Sequence, residues 1–265
     1  NSDTATTGGV IATNALKVST TGDINNTSGY MGGTNATING ANINNGTGKI
    51  AATDLTLTSS TINNAAGHIS VSGNANISSG SLNNQNGLVY ARQNATLNIA
   101  QIDNSNTIQD TKIASSTNPK GIQAQTLTIK GDTLNNSTGQ IIGGNVSTTS
   151  ATSLNNQGGH ILGGNLSVSA PSLNNLSGKL LADHALDLTT QNYTHQGQVQ
   201  GNQKTALHLS GDFVNQGTLS SGGDLSIDTT GNITNSAGST LSATRTLALN
   251  GQNITNGTDA TIIAN

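Results

Sequence analysis

The sequence predicts an all-β chain wound as a parallel β-helix, a solenoid of about twelve coils with a three-faced, triangular cross-section. Two observations carry the prediction. The first is a phrase made of an aliphatic or aromatic residue, a polar residue and an asparagine, with a glycine shortly after. It begins at Ile24, Ile43, Ile62, Leu82, Ile102, Leu134, Leu154, Leu173, Tyr193, Phe213, Ile233 and Ile254. Most steps are 19–21 residues per coil, and one, from Ile102 to Leu134, is 32. The second is composition. Only 32% of residues are hydrophobic and 2% aromatic, yet Leu, Ile and Val recur in register. So little bulk in a chain rich in Asn, Ser, Thr and Gly would suggest disorder if it were scattered. A solenoid needs only a thin apolar column, because each coil buries its inward residues against the next. The expectation is a single domain over 1–265 with a loop insertion at about 103–121.

The coil starting at Ile43 reads INNGTGKIAATDLTLTSST. Alternation with period two places Ile43 inward, Asn44 outward and Asn45 inward. Gly48 follows at a corner, Ile50 points in from a second strand, and Leu55 and Leu57 point in from a third. Strands of about three to five residues broken by Gly, Asn and Ser suit three faces. At about 4.8 Å per coil, the predicted rod is about 55–60 Å long.

The residue two places after each phrase start is the sharpest detail. It is Asn26, Asn45, Asn64, Asn84, Asn104, Asn136, Asn156, Asn175, Asn215, Asn235 and Asn256, with His195 the exception. Stacked asparagines pass amide N–H to amide C=O from coil to coil, so a structural ladder is the expected role. Asn also tolerates the left-handed backbone of a coil corner. The third strand carries apolar pairs, among them Leu55/Leu57, Ala75/Ile77, Ala95/Leu97, Leu127/Ile129, Leu166/Val168, Leu186/Leu188, Leu207/Leu209, Leu225/Ile227 and Leu247/Leu249, expected to face the column.

The long step holds DNSNTIQDTKIASSTNPKG, with Asp103, Asp110, Lys112, Pro119 and Lys120. Solenoids accept insertions as loops leaving a corner, and such loops carry binding function. These five residues are the candidate contact loop. Pro171 lies in a coil of regular length and reads as a corner residue.

Several function classes are disfavoured. Net charge is −3, and nine Lys and Arg without a basic run make no surface for nucleic acid. No apolar stretch approaches a membrane span. All twelve acids are Asp, and the closest catalytic candidates are Asp183, His184 and Asp187, and separately Asp224 and Asp228. A carbohydrate-active site needs paired acids on one face, or acids holding Ca²⁺ beside a base. These positions do not recur from coil to coil, and Arg92 and Arg245 lie many coils apart. The five histidines, His68, His160, His184, His195 and His208, show no zinc spacing. Gly-Gly pairs such as Gly32/Gly33 and Gly163/Gly164 lack a following GK[ST] and read as corners. The reading is no enzyme, no metal and no cofactor. There is no Cys, which suits a cytosolic protein or a secreted one that crosses a membrane unfolded. The chain opens at Asn1 part-way into a coil and reads as a segment of a longer protein.

The pattern LNNxxGxI…LxLxxxxLNN, as in LNNQGGHILGGNLSVSAPSLNN from Leu154 to Asn175, resembles the filamentous-haemagglutinin repeat over about residues 9–265. That repeat builds the shafts of two-partner-secreted bacterial exoproteins, including adhesins and contact-dependent growth-inhibition proteins. The resemblance implies a right-handed β-helix, exported unfolded through an outer-membrane transporter and folded at the cell surface. It also implies a role in cell-to-cell contact, with a receptor on target bacteria or host cells. No NPNL-type secretion motif and no VENN motif is present, so an interior shaft piece is expected. A direct receptor- or glycan-binding adhesive module is the second reading.

Overall fold

The computed structural model describes residues 8–109 and 119–265. Among these there is no helix, and every strand pairing is parallel, giving a β-solenoid of about 12 turns. All twelve phrase starts lie on strands. The chain divides into two compact units, Asn1–Gly143 and Gly144–Asn265.

In the first unit one turn runs from the short strand Asn42–Asn44 through a corner into Lys49–Asn63, a continuous strand that carries the second and third faces and ends in the next phrase. Its pairings set three rows. The phrase row is Ile24, Ile43, Ile62, Leu82, Ile102 and Leu134. The second-strand row is Met31, Ile50, Ile69, Val89 and Ile122. The third-strand rows include Leu55, Ala75, Ala95 and Leu127, and beside it Leu57, Ile77, Leu97 and Ile129. All of these residues are buried. Each buried Leu or Ile contributes about 1.5–3 kcal/mol, so a narrow column is enough to order a chain this polar.

In the second unit the phrase strands from Tyr193 onward form a sheet of their own, and so do the second-face strands from Thr218 onward. Tyr193, Phe213, Ile233 and Ile254 stack on the phrase face. Leu219, Leu241 and Ile262 stack on the second. On the third, Leu207 pairs with Leu188 on one side and Ile227 on the other, while Thr205 pairs with Leu186 and Leu225.

That last register corrects the apolar pairing expected at Leu207/Leu209. The aligned pair is Thr205/Leu207, and Leu209 falls in a row with Thr190 and Thr229. Side chains alternate with period two, so a slip of two residues leaves the same residues inside and changes only their neighbours. Thr205 is fully buried, and its hydroxyl accepts the Gly201 N–H at 2.8 Å. Leu247 and Leu249 stack on Leu225 and Ile227 as expected and are half-buried.

Candidate functional site

The inner asparagines are joined by side-chain hydrogen bonds within each unit, and in the second unit His195 separates Asn156 and Asn175 from Asn215, Asn235 and Asn256. Asn26 Nδ2 donates to Asn45 Oδ1, Asn45 to Asn64, Asn64 to Asn84 and Asn84 to Asn104, each at 2.7 Å. Asn104 continues to Asn136 at 2.8 Å. In the second unit Asn156 donates to Asn175 at 2.7 Å, and Asn215 to Asn235 and Asn235 to Asn256 at 2.8 Å. All but Asn256 are buried. The amide nitrogen also reaches a backbone carbonyl of the following turn, as Asn64 does to Leu88 O at 3.0 Å and Asn104 to Gln140 O at 3.0 Å. Such an amide ties two turns together through both its hydrogens, while Asn84 and Asn256 reach a carbonyl of their own turn, Gly87 O and Ala260 O.

The left-handed residue of the corner is not the asparagine. It lies two places later, at Ser28, Thr47, Ala66, Asn86, Asn106, Thr138 and Ser177, with φ between 48° and 58°. The corner closes when the glycine N–H donates to the asparagine carbonyl, as from Gly48 to Asn45 and Gly67 to Asn64, both at 2.9 Å. This is a β-turn whose third residue takes positive φ. The glycine is required by crowding. A Cβ on Gly67 would lie 2.1 Å from the Asn45 carbonyl oxygen of the previous turn, and one on Gly48 would lie 2.0 Å from that of Asn26. The Gly-Gly pairs lie inside strands at Gly32/Gly33 and Gly163/Gly164 and are crowded in different ways. A Cβ on Gly164 would meet the Gly144 carbonyl of the previous turn at 2.6 Å, whereas one on Gly32 would meet the Tyr30 ring and one on Gly33 the Leu16 Cβ.

A second, outer ladder escaped the sequence reading. From Asn25 to Asn174 the residue just before the inner asparagine, an Asn or at 103 an Asp, caps its own corner through Oδ1, as Asn44 does to the Gly46 N–H and Asn63 to that of Ala65. Val214, Thr234 and Thr255 hold this place later in the chain. The outer asparagine's amide then donates backward: Asn63 to Asn44 at 3.0 Å, Asn135 to Asp103 at 3.1 Å, and Asn174 to Asn155 at 3.0 Å. The doubled asparagine in INN and LNN was the available signal.

His195 occupies the ladder position between Asn175 and Asn215 and is fully buried. Its Nε2 lies 3.0 Å from the Thr218 carbonyl oxygen, the same kind of backbone acceptor that the ladder amides use. Its Nδ1 lies 3.3 Å from the Tyr193 hydroxyl, and that hydroxyl is bonded by the Asn175 side chain. Burial pushes the Tyr193 pKa well above its usual range, with the Asn175 donor opposing. Burial likewise lowers that of His195, with the Thr218 bond opposing.

Three of the five contact-loop residues, Asp103, Pro119 and Lys120, lie among the described residues. Asp103 ends the strand Leu88–Asp103, and its carboxylate accepts from Gln85, Ser105 and Asn135. Asp110 and Lys112 lie outside the described residues. Lys120 Nζ donates to Asn86 Oδ1 at 3.2 Å, and Pro119 precedes it at the return to the solenoid. The chain holds to its turn through Ser105 and Thr107, both buried. Thr107 stands where other corners have glycine, and its hydroxyl donates to Asn104 O and accepts from Gln140 N, both at 2.9 Å. Gly121 resumes the pairing, with φ 88° and its N–H on Gly87 O.

Three of the acids weighed for catalysis are engaged along the axis. Asp187 faces Lys204 at 3.8 Å, Asp224 takes Arg245 at 3.0 Å, and Asp228 accepts from Asn250 at 2.7 Å. Asp183 and His184 are exposed neighbours, and the His184 ring nitrogen Nδ1 sits 3.1 Å from Gly164 O. Among the described residues no three His, Cys, Asp or Glu come together as a metal site, and no helix is long and apolar enough to cross a membrane.

A family model for the haemagglutinin repeat matches residues 114–162, 161–237 and 235–265, more than half of the chain. The chain belongs to the haemagglutinin-repeat family. No curated protein and no solved structure gives a significant match. The stretch before residue 114 carries the same phrase, ladder and corner glycine, so the haemagglutinin-repeat geometry is built there too.

Proposed function

We propose that this chain is a shaft segment of a secreted bacterial surface protein that acts in cell-to-cell contact and holds more distal domains away from the cell. The carrying observation is where the polar side chains are spent. Inner asparagines, outer asparagines and the charged residues Asp187, Lys204, Asp224 and Arg245 all bond to the adjacent turn. Such a chain gains order by stacking copies of one unit, which suits length more than recognition. Membership of the haemagglutinin-repeat family supports export through an outer-membrane two-partner transporter and placement on the cell surface, in an adhesin or a contact-dependent growth-inhibition protein. The absence of Cys suits passage in an unfolded state. The shaft does no chemistry, binds no nucleic acid and uses no cofactor.

The second reading, direct binding of a receptor or glycan, rests on the one 32-residue step. The test is binding of the labelled, purified segment to bacterial and host cells. The companion is a variant in which residues 110–118 are replaced by a short Gly-Ser link, leaving Thr107 and Lys120 in place. A folded segment that binds neither cell type supports the shaft. Saturable binding lost in the variant replaces it with a recognition module.

A further inference from the structure

We propose that the turn holding Tyr193 and His195 is a proton-responsive joint, closed on a neutral imidazole and loosened when His195 takes a second proton. Eleven of the twelve ladder positions carry an amide that does not titrate; this one carries a histidine. Both of its ring nitrogens are committed. A carbonyl oxygen only accepts, so the Nε2 that lies 3.0 Å from Thr218 O carries the hydrogen. Nδ1 is therefore bare and accepts from the Tyr193 hydroxyl at 3.3 Å, while the Asn175 side chain donates to that hydroxyl. The relay runs Asn175, Tyr193, His195, Thr218 and keeps the direction of the asparagine ladder. A second proton turns Nδ1 into a donor that faces a hydroxyl already giving its hydrogen there.

Nothing around the ring compensates a positive charge. The strands Ser172–Asn174, Phe213–Asn215, Gln198–Gly201 and Thr218–Ser221 hold no charged residue. Across the column, Ala185–Thr190 and Lys204–Leu209 turn Leu186, Leu188, Thr190, Thr205, Leu207 and Leu209 inward. They keep Asp187, Lys204 and His208 outward. Lys179 is on the outer side of its strand, and Asp212 is exposed and bonded to Asn232. Phe213 closes the other side of Tyr193, with ring centroids 6.2 Å apart.

Burial holds His195 below its ordinary value of 6.5, so the folded turn stays neutral at a pH where the unfolded chain takes a proton. The stability that neutral His195 allows is complete above pH 6.5 and is lost as pH falls below it. One linked proton raises the opening equilibrium by up to about tenfold per pH unit.

The test is amide hydrogen exchange over residues 190–220 at pH 7.5 and pH 5.0, corrected for intrinsic rates, in the native chain and in His195→Asn, which restores the ladder amide. The expected result is loss of protection at pH 5.0 in the native chain, about tenfold or more beyond any loss in the variant. His160, which burial and Lys179 also hold below the ordinary value, is present in both chains and cancels. Equal pH dependence in the two chains overturns the proposal. A ¹⁵N titration of the native imidazoles reads the same point without a variant. A His195 midpoint below 6.5 with the Nε2–H tautomer is expected, and a midpoint at or above 6.5, or the other tautomer, overturns it.

Discussion

The turn that starts at Ile102 and the turn that starts at Tyr193 both depart from the repeat, in opposite ways. The first is 32 residues long, yet Asn84, Asn104 and Asn136 stay bonded at 2.7 and 2.8 Å, as in a regular turn. The second has a regular length of 20 residues, but a histidine and a tyrosine replace the amide link. An insertion at a corner leaves the column untouched because Thr107 and Gly121 close the turn around it. A substitution inside the column changes the hydrogen-bond chemistry directly. Length is therefore free at the corners, and side-chain identity is fixed inside.

The largest effect belongs inside the column. Leu207→Asp places a carboxylate between Leu188 and Ile227 with no cation to meet it, and should cost on the order of 5 kcal/mol, read as loss of the thermal transition. Asn64→Ala leaves the Asn45 amide without its acceptor and Asn84 Oδ1 without its donor, for a cost of about 3 kcal/mol in chemical denaturation. Gly67→Ala drives a methyl against the Asn45 carbonyl and should cost about 2 kcal/mol. Replacing residues 110–118 with a short link should change stability by less than about 1 kcal/mol, since loop closure depends only weakly on length. If that replacement cost as much as Asn64→Ala, the contrast between corner and column would fail.

The phrase spacing made the coil count and the inward rows legible, because both depend only on period and parity. The same spacing named the residues of the inner column, while their donor direction and carbonyl partners came only from the coordinates. Parity also set the limit. It could not distinguish Leu207 from Leu209 as the partner of Leu188, since both face inward. The left-handed position escaped because side chains as different as Ser28, Ala66 and Asn86 occupy it, and no residue type announces it. The glycine was visible, but its cause was the carbonyl of the previous turn, a contact that no single coil contains. His195 stood out as the exception, whereas its use of Thr218 and Tyr193 depends on which atoms the neighbouring turn presents.

The central claim is that the inner amides, bonded from turn to turn, hold the stack. The most direct measurement is hydrogen exchange of the side-chain Nδ2 protons by NMR. The account predicts that those of Asn45, Asn64, Asn84 and Asn104 exchange as slowly as core backbone amides, while that of exposed Asn98 exchanges freely. Exchange of the four at the rate of Asn98 would contradict it.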